Sequence, residues 1–279
     1  MNRVLINGEA VDTVPVTDRG LHYGDGVYET MAIENGQLQH WDRHQQRLIV
    51  GCYRLKLPIP DIKKVEREID SVASDQTRAV IKIIVTRGQG GRGYKSPDKT
   101  ITTRIVACYP YPEYPADYWE QGVKIRLCNT PLGMNPALAG IKHCNRLEQI
   151  LARNEWQDAD IPEGLMLDGE QNVIEGTMSN LFISRNGGLV TPAITHCGVE
   201  GVMRGVTMDA ARDQQIPLFV DTITVEDVAN ADEVFLTNSV IGIWPVRKFQ
   251  DQVYSIGSIT RMLMEQLEVY RYPVGSVEG

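Results

Sequence analysis

Two residues, a lysine and a glutamate, stand at turns where they could act together on a substrate. Lys142 follows the turn-rich segment Pro131–Gly140, and about thirty residues later Glu175 ends a short apolar run before a small polar turn. A lone lysine in such a place is most often a solvated side chain. A lysine in one turn and a carboxylate in the next are, however, what a pyridoxal phosphate enzyme needs. The lysine holds the aldehyde as a Schiff base, and the acid keeps the pyridine nitrogen protonated.

The segments around these residues resemble the fold-type IV pyridoxal phosphate enzymes. This group contains branched-chain and D-amino acid aminotransferases and 4-amino-4-deoxychorismate lyase. The similarity runs over nearly the whole chain, and Leu138–Gln149, LAGIKHCNRLEQ, follows the lyase pattern almost residue for residue. It implies an α/β (α+β) fold of two domains, each with a β-sheet or barrel core flanked by helices. It also implies pyridoxal 5′-phosphate as cofactor, Lys142 as its Schiff-base residue, Glu175 as the partner of its ring nitrogen, and a homodimer.

The same resemblance assigns further residues to the cofactor. The motif His-x-x-Arg-Leu, here His44–Leu48, singles out Arg47 as the clamp of the cofactor phosphate, although two helical arginines, Arg43 and Arg47, are more often solvated. The glycine-rich segment Gly198–Gly205 opens a helix, whose first backbone N–H groups are a natural phosphate site; a helix start without a ligand explains it equally well. Other positions that the family places at the cofactor are Val202, Met203 and Ser239, with Tyr28 and Thr30 pointing towards it.

For the reaction, the resemblance implies a lyase that converts 4-amino-4-deoxychorismate into 4-aminobenzoate and pyruvate, a step of folate synthesis. The substrate amine displaces Lys142, which then removes a proton from the amine-bearing carbon, with Thr30 assisting proton delivery. Arg92 and Asn238 match positions that meet the substrate in the lyase, and Tyr28 is also expected to contact the substrate. The alternative is an amino acid aminotransferase on the same scaffold, acting on branched-chain or D-amino acids. Against it, the loop around Arg92 lacks Arg-x-His, and Arg146 stands where branched-chain enzymes have a tyrosine.

A glycine-rich segment, Gly88–Gly93, matches the dinucleotide fingerprint GxGxxG literally. That fingerprint requires a helix that opens on the glycines. The residues that follow, Tyr94–Asp98, have the composition of a loop, so the match does not indicate a dinucleotide site.

Composition excludes several classes of protein. Hydrophobic residues make up 42% and charged residues 23% of the 279, which is typical of a globular protein. The net charge of -8 argues against nucleic acid as a partner. No apolar run is long enough to span a membrane, and no signal peptide pattern is apparent. The five cysteines are scattered without CxxC spacing, so we expect no metal site, no disulfide scaffold and a cytoplasmic location.

The order of patterns along the chain predicts its segments. A smaller α/β domain is expected over residues 1–110, a proline-rich linker over 111–117 and a larger cofactor-binding domain over 118–279. The chain should begin with a hairpin in which Ala10–Val14 is the second strand. Asp42 is expected to cap a helix reaching Leu57, followed by a second helix over residues 60–74 with its charges, including Glu68, in water. Further predictions are hairpins at 164–175 and 180–190, a closing helix over 258–271, and an amphipathic helix after Lys142 with Leu147, Ile150, Leu151 and Trp156 on one side.

Overall fold

The computed structural model describes residues 3–267. The chain divides into an N-terminal unit, Met1–Pro112 with Ile141–Arg146, and a C-terminal unit, Glu113–Gly140 with Leu147–Gly279. The first division falls within the predicted linker, whereas residues 141–146, which the sequence assigns to the second domain, group with the N-terminal unit. Within residues 3–267, none of the helices combines the length and the apolar character that a membrane span requires.

The N-terminal unit is built on an antiparallel sheet. Its elements are β1 (Arg3–Ile6), α1 (Arg19–Tyr23), β2 (Gly26–Glu34), β3 (Gln37–Leu38), α2 (Trp41–Arg54), α3 (Ile62–Ala73), β4 (Arg78–Thr86) and β5 (Thr103–Tyr109). The strand order is β1-β5-β4-β2-β3. Apolar residues three to four positions apart give α2 and α3 one buried side each, and Leu48, Cys52, Val65 and Ile69 pack in one core with the sheet.

Three predictions for this unit are wrong. Ala10–Val14 is not a strand, because β1 pairs with the longer β5 instead and residues 10–13 lie exposed. The first long helix begins at Trp41 with His40, rather than Asp42, at the N-cap, and it ends at Arg54. Glu68 is buried rather than solvated, because Arg104 of β5 donates to its carboxylate, with Nε 2.6 Å from Oε2.

The C-terminal unit contains the remaining elements. These are α4 (Asp117–Glu120), β6 (Val123–Leu127), α5 (Leu147–Arg153), β7 (Glu163–Leu167), β8 (Val173–Gly176), β9 (Asn180–Arg185), β10 (Gly188–Pro192), α6 (Val202–Asp213), β11 (Leu218–Asp221), α7 (Val225–Ala229), β12 (Glu233–Asn238), β13 (Gly242–Phe249), β14 (Gln252–Val253) and α8 (Ser258–Gln266). In the described residues they form a nine-stranded sheet of order β11-β10-β9-β12-β13-β6-β7-β8, with β14 beside β13.

Both predicted hairpins of this unit are confirmed. β7 pairs antiparallel with β8, and β9 with β10 across a turn at Asn186 and Gly187, which both have positive φ. The closing helix is observed as α8, and residues 268–271 of its predicted range lie outside the described residues.

The helix after Lys142 differs from its prediction. Trp156 is buried beyond the end of α5, but Leu147, Ile150 and Leu151 are 72%, 53% and 60% exposed. Ala152 is the buried residue of this helix. Leu147, Ile150 and Leu151 therefore share a helix, as predicted, but the rest of the described chain leaves them exposed, and the inclusion of Trp156 in this helix is wrong.

Candidate active site

Lys142 belongs to a short segment that runs beside β2 in the N-terminal unit. The backbone N–H of Tyr28 donates to the carbonyl oxygen of Lys142 at 2.9 Å, and the N–H of Cys144 donates to Gly26 at 2.9 Å. The ε-amino nitrogen of Lys142 lies 4.5 Å from the centre of the Tyr28 ring. Two predicted site residues, Tyr28 and Lys142, are therefore in contact. Thr30 follows on the same face of β2, because side chains two residues apart in a strand point to the same side.

A second lysine, which the sequence did not single out, reaches the same ring. The ε-amino nitrogen of Lys82 in β4 lies 5.3 Å from the centre of the Tyr28 ring. Lys82 is paired with Thr30 in the register of β4 and β2. Its signal in the sequence is a single charge inside the apolar run of β4, Arg78–Thr86, where a solvated lysine is unexpected.

Arg47, the predicted phosphate clamp, is held by a buried carboxylate. Its Nε and Nη2 donate to Oε1 and Oε2 of Glu29 at 2.9 Å and 2.6 Å. Nδ1 of His44 lies 2.6 Å from Glu29 Oε2. Burial alone would raise the pKa of Glu29, but the Arg47 guanidinium and the His44 ring hold that pKa below its usual value. Glu29 thus stays ionised and fixes the direction of the Arg47 fork.

Arg92, the predicted substrate contact, lies in the loop between β4 and β5. Arg92 is exposed, and its backbone carbonyl accepts a hydrogen bond from the Tyr23 hydroxyl at 2.7 Å. Residues 94–98, after the glycines, contain no helix, which is the element that a dinucleotide fingerprint requires at this place.

Glu175, in the C-terminal unit, is a buried carboxylate on β8. It is 4% exposed, and its Oε2 accepts the backbone N–H of Val199 at 2.8 Å. Gly198, with φ of 87°, makes this approach possible. A Cβ on residue 198 would lie 2.7 Å from a methyl carbon of Ile174 and 3.4 Å from Glu175 Oε2.

Val202 and Met203, which were predicted to bind phosphate, form the first turn of α6, and no side chain caps this turn. Gly201 occupies the N-cap. A Cβ on Gly201 would lie 1.9 Å from Asn180 Oδ1, so only glycine fits there. Arg204 follows Met203 in the first turn of α6, and the sequence analysis assigned no role to it. It is 8% exposed and donates to Thr191 and to the Pro192 carbonyl, while burial lowers its pKa.

Asn238 and Ser239 lie where β12 ends. Nδ2 of Asn238 donates to the carbonyl of Met178 at 3.1 Å, and its Oδ1 accepts the N–H groups of Val240 and Ile241. Ser239 is in the turn between β12 and β13. The Asn238 amide is thereby fixed against the turn that follows Glu175. Its predicted contact with substrate, like the other assigned roles, stays a prediction.

Comparison with known proteins finds similarity along most of the chain. Residues 26–249 match the family model "Amino-transferase class IV". Aminodeoxychorismate lyase of Vibrio harveyi is 34% identical over 266 residues, covering 94% of this chain and 98% of that protein. The crystal structure of 4-amino-4-deoxychorismate lyase from Pseudomonas aeruginosa is 43% identical, with a TM-score of 0.92 over 96% of this chain and 100% of the other. A putative branched-chain amino acid aminotransferase of Methanocaldococcus jannaschii is 29% identical, covering 96% of both.

Proposed function

Because this chain belongs to the class IV aminotransferase family, we propose that it is the lyase of that family. In this proposal it converts 4-amino-4-deoxychorismate into 4-aminobenzoate and pyruvate with pyridoxal 5′-phosphate as its cofactor. The observation that carries the proposal is the greater likeness to lyases than to the aminotransferase relative, over nearly the whole chain. The sequence LAGIKHCNRLEQ around Lys142 supports the same choice.

The residues of the chain fit this cofactor. The uncapped start of α6, with a glycine at the N-cap, suits a phosphate group, and the Arg47 guanidinium, whose Nε and Nη2 face Glu29, would supply positive charge. Glu175 is a buried carboxylate suited to a protonated ring nitrogen, and Lys142 is the amine for the aldehyde. When bound, pyridoxal phosphate accepts the electrons of a carbanion formed next to the substrate nitrogen.

The chain's own groups move the protons. The ε-amine of Lys142 would hold the cofactor aldehyde and, once free, would take the proton from the amine-bearing carbon of the substrate. A general base of this kind contributes about 10²–10⁴-fold to the rate. The bond from the neighbouring ring carbon to the enolpyruvyl oxygen then breaks, the ring becomes aromatic, and the released enolpyruvate takes up a proton to become pyruvate. No oxidant or second substrate is required, and the Thr30 hydroxyl assists the proton delivery.

Cations and an amide are available for the substrate. The proposed substrate carries two carboxylates, and the chain has a net charge of -8, so local positive charge is needed to hold them. We assign this role to Arg92, together with Lys82 beside Tyr28. Asn238 is assigned a polar contact with the substrate.

The test is a comparison of products. Purified protein saturated with pyridoxal phosphate is incubated with 4-amino-4-deoxychorismate alone, and products are separated by chromatography. We expect 4-aminobenzoate and pyruvate in equal amounts, and neither from Lys142→Ala. In parallel, a D-amino acid or a branched-chain amino acid is supplied with a keto acid acceptor. Rapid amino group transfer there, without 4-aminobenzoate from the first incubation, would replace the lyase by the aminotransferase.

We also propose a homodimer in the cytoplasm. Leu147, Ile150 and Leu151 put an uncovered apolar side on α5, which a second copy of the chain would bury. All five cysteines are free thiols, in keeping with a reducing compartment. Light scattering should give twice the chain mass. The double substitution Leu147→Glu and Leu151→Glu should reduce it to one chain mass, while Phe219→Glu, at an equally exposed position on β11, should not.

A further inference from the structure

The loop that carries Arg92 is fastened to α1 by three hydrogen bonds to consecutive carbonyl groups. The Tyr23 hydroxyl donates to the carbonyl of Arg92 at 2.7 Å. Nη1 and Nη2 of Arg19 donate to the carbonyls of Gly93 and Tyr94 at 2.7 Å and 3.1 Å. Each peptide carbonyl from residue 92 to residue 94 is therefore held by a side chain of one helix turn.

The donors themselves are fixed before any substrate arrives. Arg19 is 4% exposed, and its Nε donates to Asp25 Oδ2 at 2.9 Å. Its guanidinium lies 4.8 Å from the centre of the Tyr23 ring, and the Tyr23 ring meets the ring of Tyr94 edge-on at 5.6 Å. A guanidinium that is stacked and ion-paired loses little further freedom when it holds the loop.

The loop needs such a support because of its composition. Gly90, Gly91 and Gly93 surround Arg92, and glycine loses more conformational freedom on ordering than any other residue. At Gly90 a Cβ would lie 2.7 Å from Cδ of Arg19, so this glycine lets the loop approach Arg19 closely. The three held carbonyls restrict the backbone at and after the exposed residue Arg92.

We propose that Arg19 and Tyr23 are positioning residues that set the affinity of the site for a substrate carboxylate, because they preorder the loop that presents Arg92. The inference rests on the proposed function, in which the Arg92 guanidinium meets that carboxylate. Neither Arg19 nor Tyr23 touches the substrate in this proposal. Preordering lowers the cost of binding, so its loss appears in KM rather than in kcat.

The chain offers a matched control for a purely structural role. Arg87 shares the carboxylate of Asp25 with Arg19, with its Nε 2.7 Å from Oδ2 and its Nη2 3.0 Å from Oδ1. Its remaining hydrogen bonds go to the carbonyls of Leu55 and Lys56, away from the Arg92 loop. Arg87→Gln therefore removes a comparable buried ion pair and two carbonyl contacts without releasing the loop.

The experiment measures KM, kcat and loop order in the holoenzyme. Tyr23→Phe, Arg19→Gln and Arg87→Gln are compared with wild type for turnover of 4-amino-4-deoxychorismate, for melting temperature, and for the rate of trypsin cleavage after Arg92 and Lys95. Tyr23→Phe removes one neutral hydrogen bond and should raise KM about threefold to tenfold, with kcat within twofold. Arg19→Gln should raise KM more and speed loop cleavage. Arg87→Gln should lower the melting temperature as much as Arg19→Gln while leaving KM and loop cleavage within twofold.

A double substitution completes the test. In the Arg92→Ala background, Tyr23→Phe should change KM by less than twofold, because the guanidinium that Arg19 and Tyr23 position is absent. The proposal is overturned if KM in Arg19→Gln and Tyr23→Phe stays at the wild-type value, or if Arg87→Gln reproduces their effects. Failure of the proposed function is a separate result: a wild type that forms no 4-aminobenzoate contradicts that function. The cleavage rates still decide whether α1 holds the loop.

Discussion

Tyr28 is bound to Lys142 through both its backbone and its ring. Its N–H donates to the Lys142 carbonyl at 2.9 Å, and its ring centre lies 4.5 Å from the Lys142 ε-amino nitrogen. The ε-amino nitrogen of Lys82 lies 5.3 Å from the same ring centre. Two amines therefore share one aromatic ring, and only one of them stands in the motif of the Schiff-base lysine.

The first prediction separates these two lysines. Borohydride treatment of the holoenzyme should attach the reduced cofactor irreversibly to Lys142, as peptide mass mapping would reveal. Lys142→Ala should lose the covalent link, whereas Lys82→Met should retain it. Label found on Lys82 in the wild type would reverse the assignment of the two residues.

The second prediction concerns Lys82, the other charged side chain beside the Tyr28 ring. If Lys82 holds a substrate carboxylate, Lys82→Met should raise KM for 4-amino-4-deoxychorismate and leave the cofactor absorbance unchanged. A charge-assisted hydrogen bond is worth roughly 1.5–3 kcal/mol, or about tenfold to a hundredfold in affinity. Lys124→Met, which removes an ion pair with Asp160 in the C-terminal unit, is the control and should leave KM unaltered. Equal kinetics for the two variants would remove Lys82 from the site.

The third prediction follows from the pKa of Glu29, which its partners hold below the ordinary value of 4.5. A depressed carboxyl pKa contributes stability that is fully present above the unfolded value and is lost as the pH falls through the folded value. Glu29→Gln leaves Arg47 without its buried partner and should cost about 3–5 kcal/mol at neutral pH. Urea denaturation between neutral pH and about pH 3 should show this difference shrinking as the pH falls. A difference that does not change with pH would contradict the assignment.

An exposed carboxylate provides the control for that series. Asp75 has its pKa lowered to about 2 by its hydrogen bond with Arg3, but it lies in water. Asp75→Asn should change stability little at any pH, because exposed pairs are screened. The contrast with Glu29 measures what burial adds to an ion pair.

The sequence predicted local elements better than contacts between distant parts of the chain. The hairpins around Glu175 and the start of α6 were predictable because turn residues and strand alternation are local signals. The burial of Glu68 was not, because it depends on Arg104, which is distant in the sequence. Lys82 was missed for the same reason, since its neighbour Tyr28 lies on another strand of the sheet.

The fourth prediction concerns the ring nitrogen. Glu175→Gln should still bind the cofactor, because the proposed phosphate contacts at Arg47 and at the start of α6 remain. It should form product far more slowly, because a neutral amide does not keep the pyridine nitrogen protonated. Absorbance titration with pyridoxal phosphate and single-turnover rates measure the two effects. The control is Glu170→Gln, at the exposed turn of the same hairpin, which should behave as wild type. Turnover near normal in Glu175→Gln would show that Glu175 has another role.

The turn between Glu175 and Asn180 is held by one fully buried carboxylate, that of Glu163 in β7. Its Oε1 accepts the backbone N–H groups of Gly164 and Thr177, both at 2.9 Å, and the Thr177 hydroxyl at 2.5 Å. Its Oε2 accepts the Met178 N–H at 3.1 Å and the Ser179 hydroxyl at 2.7 Å. Both oxygens of a carboxylate are acceptors, with about four lone-pair sites for these donors, whereas an amide would turn one of its two terminal atoms into a donor.

The fifth prediction is that Glu163→Gln disturbs this turn and what depends on it. The amide would face N–H and hydroxyl donors that it cannot accept, and each buried group left unsatisfied costs about 1–3 kcal/mol. Because the Met178 carbonyl accepts from Asn238, the displacement should also reach the proposed substrate contact. We therefore expect a lower melting temperature and a raised KM for 4-amino-4-deoxychorismate. Ser179→Ala removes a single donor and should show a smaller shift in the same direction for both quantities. A Glu163→Gln enzyme that loses stability but keeps its KM would limit Glu163 to holding the fold.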